Sequence, residues 1–106
     1  MILIIVKWKV KPEYADRWPE LTRSFTEATR AEPGNKFFEW SRSVEDPNQY
    51  VLLEAFDDDA AGPHVNSAHF KQAQADLPQY VQETPSIRNL QGQPEDWDLL
   101  GEFQIS

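Results

Sequence analysis

The segment "ILIIVKWKVK" (Ile2–Lys11) places the tightest constraint on how this chain can fold. Its β-branched residues, and its alternation from the middle onward, predict a strand. Ile4, Val6, Trp8 and Val10 fall on one face; Leu3, Ile5, Lys7, Lys9 and Lys11 fall on the other. The second face is half apolar, so a sheet built on this strand needs at least partial cover on both sides.

The segments that follow say what can supply that cover. Pro12 ends the strand and suits the first turn of a helix. Tyr14, Trp18, Leu21, Phe25 and Ala28 then recur at helical spacing, with charged residues off the stripe. Pro19 inside this pattern predicts a kink or a tightened first turn. "EPGN" (Glu32–Asn35) closes the helix as a turn, Pro33 presetting φ and Gly34 accepting a positive one. "KFFEWSRSVE" and "QYVLLEAFD" flank "DPN" and read as a β-hairpin. On its strands Phe38, Trp40, Arg42 and Val44 share one face, and Tyr50, Leu52, Glu54 and Phe56 share one face. Asp57, Asp58 and Asp59 suit the N-terminus of a short helix, where carboxylates cap free N–H groups. Ser67 can cap the next helix, whose inner stripe is Phe70, Ala73, Leu77 and Val81. "PSIRNLQG" (Pro85–Gly92) reads as a fourth strand.

The order strand, helix, strand, strand, helix, strand is the ferredoxin-like βαββαβ arrangement of the α+β class, with both helices on one face of a four-stranded antiparallel sheet. A chain of 106 residues cannot cover the other face by itself. The simplest solution is a homodimer that packs sheet against sheet about a twofold axis. Residues 1–93 form the expected domain. The tail, residues 94–106, carries Trp97, Leu99, Leu100, Phe103 and Ile105, and is expected to dock on the core or on a partner subunit.

A formal net charge of −8, without any basic stripe, argues against nucleic acid and anionic membrane surfaces as partners. No cysteine is present, which excludes disulfides, thiolate metal sites and a cysteine nucleophile. The apolar start "MILIIV" is too short to span a bilayer and lacks the flanks of a signal peptide. The expected location is cytoplasmic.

"EPGNKFFEW", "DPNQYVLLEAFDD" and "HVNSAHF" together resemble the signature of the antibiotic-biosynthesis monooxygenase family, especially its small quinol-monooxygenase-like members. The matching pieces are Glu32-Pro33-Gly34, Asp46-Pro47-Asn48, Leu52-Leu53-Glu54 with Phe56, and His64 through Phe70, in order and spacing over about residues 2 to 92. Trp97, Gly101 and Glu102 in the tail are similar to one subgroup. The resemblance implies a dimeric α+β barrel with a pocket between helices and sheet. It also implies oxygenation of a small electron-rich aromatic, such as a quinol or an anthrone, by O2 with no cofactor. Other members of the superfamily degrade haem or isomerise small carbonyl compounds. Some anthrone-oxidising relatives carry an asparagine and a tryptophan where this chain has Leu52 and Phe56. Gln74 stands where haem-degrading relatives place a histidine ligand, which disfavours haem.

Within that frame His64 is the leading general base, because imidazole titrates near neutral pH and the residue follows the Gly62-Pro63 interruption. Glu54 stands between apolar neighbours on its strand. It either pairs with Arg42 or lines a cavity, orienting His64 or accepting from a substrate hydroxyl. Trp40, Phe56, Phe38, Tyr50 and Trp8 are candidates for an aromatic substrate wall. His69 lies five residues beyond His64, roughly 140° around an ideal helix. The two lack the i, i+4 spacing of a helical zinc pair, so no metal site is expected; His69 reads as structural, capping or bridging near Ser67, and is a substrate-binding candidate if the backbone bends between them. A ligand-binding barrel without catalysis, or a cofactor-free isomerase, remains as an alternative on the same fold. An apolar cavity of several hundred Å³ beside His64 would favour the enzyme.

Overall fold

The computed structural model describes residues 1–105 and has the expected ferredoxin-like topology. β1 (Ile2–Lys9), β2 (Asn35–Arg42), β3 (Gln49–Phe56) and β4 (Ser86–Leu90) form one antiparallel sheet in the order β2-β3-β1-β4. β1 is central because it is apolar on both faces, whereas β2 and β4 at the edges are more polar. Between the strands lie α1 (Trp18–Leu21), α2 (Arg23–Arg30), α3 (Ala61–Val65) and α4 (Ala68–Asp76). Single 3₁₀ segments precede α1 (Pro12–Arg17) and follow α4 (Leu77–Tyr80). No helix among the described residues is long and apolar enough to cross a membrane.

Register decides which side chains meet. Ile4 pairs with Glu54, Val6 with Leu52 and Trp8 with Tyr50, while Phe38 pairs with Glu54 and Trp40 with Leu52. All of these side chains share the sheet face that looks toward the helices. There Ile2, Ile4, Val6, Phe38, Leu52 and Phe56 make one buried cluster, and Val10, Ala15, Trp18, Tyr50 and Leu77 a second. The other face carries Leu3, Ile5, Val51, Leu53 and Phe37, only half-buried in the single chain. Trp97 leans on Phe37 at 6.3 Å, but Leu99, Leu100, Phe103 and Ile105 of the tail are exposed.

Three local expectations change. The first helix breaks into a 3₁₀ segment and two short α-helices, with Pro19 in the first turn of α1, where it forfeits no internal bond. Its innermost residues are Trp18, Thr22, Thr26 and Thr29, with Leu21, Phe25 and Ala28 only half-buried. Thr22 is satisfied locally by donating its hydroxyl to the Trp18 carbonyl at 2.8 Å. Thr26 accepts from Trp40 Nε1 at 2.9 Å. The run of acids after β3 caps nothing: α3 has Ala60 at its N-cap and no side-chain cap bond. Asp57 pairs instead with Lys36 at 3.2 Å, and Asp58 with the N-terminal amine at 2.9 Å.

Gly34 is the third change. The one glycine with positive φ is Gly92, so Gly34 is not needed for a left-handed turn. It is needed for close approach, since a Cβ there would lie 2.3 Å from the Cβ of Ala60. The turn after α2 and the segment leading into α3 are thereby held in direct backbone contact, and both carry residues of the site. Gly34→Ala is expected to cost about 1–3 kcal/mol in urea unfolding. Adding Ala60→Gly should return most of that loss; two additive losses would show that the contact is not the reason.

Candidate functional site

A cavity of about 730 Å³ lies between the sheet and the helical layer. Its floor is Ile4, Val6 and Leu52 from β1 and β3, and its aromatic walls are Trp8, Phe25 and Phe70. It opens because the facing side of α3 and α4 is built from small residues such as Ala61 and Ala73, which leave space above the floor. The chain after α4 closes one side. Lys11 donates to the Tyr80 carbonyl and Gln82 to the Lys9 carbonyl, both at 2.8 Å, which fixes this segment along the end of β1.

Two ionisable groups reach the deep part of the cavity, Glu54 and His64. Glu54 is buried on β3 between Ile4 and Phe38 of the neighbouring strands. Desolvation, then the negative charge of Glu32, pushes its carboxyl up to about 7. Arg42 is not its mate: Arg42 sits opposite Tyr50, pairs with Asp16 at 2.9 Å and donates to the Pro47 carbonyl. The basic atom that does face Glu54 is His64 Nε2, 3.8 Å from Oε1, beyond a hydrogen bond.

His64 lies within α3 and not beyond an interruption. Gly62 and Pro63 occupy its first turn, where proline forfeits no helical bond, and His64 N donates to the Ala60 carbonyl. The ring is buried between Phe56, at 4.8 Å, and Phe70, at 5.1 Å. Its Nδ1 lies 2.7 Å from Glu32 Oε2, and the same oxygen lies 2.6 Å from His69 Nε2. The two imidazoles therefore converge, with ring centroids 6.0 Å apart. The helical angle between them does not apply, because Ser67 interrupts the helix in an extended conformation. Ser67 caps α4 by accepting from Phe70 N at 3.2 Å and donates to the His64 carbonyl at 2.6 Å.

Glu32 was invisible to sequence reasoning as a site residue. The Glu-Pro-Gly turn accounts for its proline and its glycine, but no turn requires a carboxylate there, and that surplus was the available signal. The aromatic wall also shifts. Of the five aromatics expected to form it, Trp8 lines the cavity, whereas Trp40, Phe56, Phe38 and Tyr50 pack behind it. Tyr50 donates its hydroxyl to the Ala15 carbonyl and Trp40 its indole N–H to Thr26, so both polar ends are already engaged in the core. Phe25 and Phe70, read from sequence only as helix stripe, take their place. His69 also lies outside the lining.

Among the described residues one group could hold a metal ion: the ligand atoms of Glu32, His64 and His69 lie within 4.8 Å of one another. Two of the separations, 2.6 and 2.7 Å, are hydrogen-bond lengths. Ligands around one ion at metal–nitrogen distances near 2 Å stand roughly 3 Å or more apart. The arrangement is that of a carboxylate accepting two imidazole N–H groups.

The sequence model described as "Antibiotic biosynthesis monooxygenase" matches residues 1–76. A Bacillus subtilis (strain 168) protein named "Putative monooxygenase YcnE" is 35% identical over 72 residues, covering 67% of this chain and 76% of the relative. Among solved structures, one described as "Putative antibiotic biosynthesis monooxygenase from Nitrosomonas europaea" is 29% identical and superposes with a TM-score of 0.79, over 87% of this chain and 98% of that one. A Deinococcus radiodurans structure reaches a TM-score of 0.82 at 19% identity, over 95% of this chain and 100% of that one, a likeness of fold alone.

The raised carboxyl of Glu54 has a stability consequence whose sign follows from proton binding. Its folded value, about 7, lies above the ordinary 4.5, so the native state holds a proton that the unfolded state has lost between those limits. Stability therefore falls as pH rises through that window. Glu54→Gln is expected to be more stable than the parent at pH 8, by about 1–3 kcal/mol, and no more stable at pH 4.5. Urea unfolding at the two pH values checks this; a pH-independent difference would contradict it.

Proposed function

The chain belongs to the antibiotic biosynthesis monooxygenase family, and on that footing we propose that it is a cofactor-independent monooxygenase of a small, uncharged, electron-rich aromatic of quinol or anthrone type. The observation that carries this reading is the cavity of about 730 Å³, mostly apolar and aromatic, with Glu54 and His64 buried in its wall and Gln74, Gln82, Glu83, Thr84 and Asn89 as its other polar lining residues. Its size suits a ligand of a few fused rings. Its lining includes Glu54 and Glu83 but no lysine or arginine, which supports a substrate without carboxylate, sulfate or phosphate.

Triplet oxygen reacts slowly with closed-shell molecules, so in this chemistry the substrate supplies the electron. A phenolate or enolate does so far more readily than its neutral form. In the proposed sequence His64 Nε2 removes a proton from the substrate, and Glu54 accepts from the substrate hydroxyl as a carboxylate or, as the protonated acid, donates to the resulting oxyanion. The anion passes one electron to O2, and the radical pair combines into a peroxide anion. That anion takes back the proton from His64. Loss of water then leaves a carbonyl, so that a CH2 group and O2 become C=O and H2O. Trp8, Phe25 and Phe70 exclude bulk water and hold the ring plane.

The half-buried apolar strip on the sheet's outer face and the exposed tail support the second part of the proposal, a homodimer with those surfaces at its interface. Sedimentation equilibrium should give twice the chain mass, and a monomer at micromolar concentration would refute the dimer.

The activity test is oxygen uptake with a panel of quinols and anthrones. At least one substrate should consume O2 with equimolar oxygenated product, and His64→Ala should lower kcat by roughly a hundredfold or more. A fully active His64→Ala variant would remove His64 as base. Turnover that continues without oxygen would replace oxygenation by isomerisation.

A further inference from the structure

We propose that Glu32 and His69 are positioning residues for His64, one carboxylate oxygen fixing the two imidazoles in opposite tautomers so that His64 Nε2 is the nitrogen left without a proton. The inference rests on the reading of His64 as the base, and it adds two residues that never touch the cavity.

The argument is one of donors and acceptors. An ionised carboxylate only accepts, so each ring nitrogen at hydrogen-bond distance from Glu32 Oε2 must carry the proton. At 2.7 Å that nitrogen is Nδ1 of His64; at 2.6 Å it is Nε2 of His69. Both lengths are those of charge-assisted bonds. A neutral imidazole has one proton, so His64 is left with a lone pair on Nε2 and His69 with one on Nδ1. His64 Nε2 faces Glu54 at the cavity, while its protonated side is turned away. In a free histidine the Nε2–H tautomer prevails, so His64 is held in the minor form, and Glu32 is the group that holds it.

Burial makes this control effective. The side chains of His64, Glu32 and His69 are 5%, 15% and 23% exposed, a graded series from cavity wall to surface. Water cannot readily replace the bond at the buried end, whereas His69 stands near the surface. His69 fills the second lone pair of the same oxygen, so Glu32 cannot rotate away without breaking two bonds. The three residues also come from separate elements: the turn after α2, α3 and α4. When His64 takes a proton from the substrate, the carboxylate is already opposite the developing charge.

The test reads the rings directly. The chain has only two histidines, so long-range proton–nitrogen spectra of the ¹⁵N-labelled protein at about pH 8, above the usual imidazole range, contain two spin systems. His69→Gln assigns them. The expected result is Nδ1–H for His64 and Nε2–H for His69. In Glu32→Ala, His64 should revert toward Nε2–H, and kcat with the best quinol or anthrone of the panel should fall roughly tenfold or more while KM stays within about twofold. Glu32→Gln keeps an acceptor oxygen and should retain the tautomer with part of the rate. It serves if the alanine variant fails to fold. A parent spectrum with His64 as Nε2–H overturns the proposal, as does stoichiometric Zn²⁺ binding that shifts both rings. If the tautomer changes in Glu32→Ala while His64→Ala stays fully active, the hydrogen-bond assignment survives and the base assignment falls.

Discussion

Glu54 sits in the middle of an apolar sheet face with no cation within hydrogen-bond reach, and the site is organised around that burial. A carboxylate taken out of water without a partner is expensive, and here the expense shows as a carboxyl that titrates near neutrality. The core beside it must supply the missing stability. Phe38, Leu52 and Phe56 pack around the same strand positions, and the rings of Trp18, Trp40 and Trp8 lie within 6 Å of one another, Trp40 edge-on to both others. The sheet thus carries a destabilising group at the one place where the helical layer does not close over it. In a filled core the same carboxylate would have no use. Beside a cavity it has a proton to give or take at working pH.

The helical layer contributes the complementary half by being discontinuous. A single helix from Ala61 to Asp76 would have pointed the two histidines to different sides. The break at Ser67 turns both toward Glu32, and the cap bonds of Ser67 make that break a stable conformation. Gly34 matters for a related reason: its missing side chain lets the Glu32 turn approach the start of α3. Two small local features therefore set the distance across which a carboxylate meets two imidazoles. This is why changes at residues that touch no ligand are expected to reach the chemistry.

What the sequence disclosed and what it withheld divide along the same line. Element order and strand pairing were legible because they depend on period, as in Ile2–Lys11 and the hairpin around Asp46-Pro47-Asn48; the stripe of α4 held only for Phe70 and Ala73, since the helix ends at Asp76 and Val81 is extended and bridges to Val10. Burial within the first helix was less legible, because Thr22, Thr26 and Thr29 carry hydroxyls that count as polar in any pattern. In place, a backward hydrogen bond and an indole donor satisfy two of those three. The site was legible only in its parts on one element. Glu54 and His64 could be named, since each stands out against its neighbours. Their relation to Glu32, 32 residues before His64, depends on a chain bend and a backbone contact that leave no periodic trace. Asp57 to Asp59 failed in the opposite direction: a strong local rule favoured a cap, and distant positive charges, Lys36 and the terminal amine, outbid it.

The aromatic residues sharpen the distinction between a core and a wall. The aromatic positions are not equivalent: Phe38, Phe56, Tyr50 and Trp40 pack behind the cavity, whereas Trp8, Phe25 and Phe70 line it. Tyr50 and Trp40 have their polar ends bonded inside the fold, to the Ala15 carbonyl and the Thr26 hydroxyl. Phe25 and Phe70 have no polar end to satisfy, and they line the cavity and flank the imidazoles. A surface of that kind holds a flat, apolar ring by area and leaves direction to the two ionisable groups beside it. Orientation of a substrate in this cavity would then be set by where its hydroxyl meets Glu54 and His64, and ring size would be limited by the space above Ile4, Val6 and Leu52. Selectivity among the proposed substrates would follow from those two limits together, an apolar floor of fixed extent and a buried pair of ionisable groups at one part of the wall.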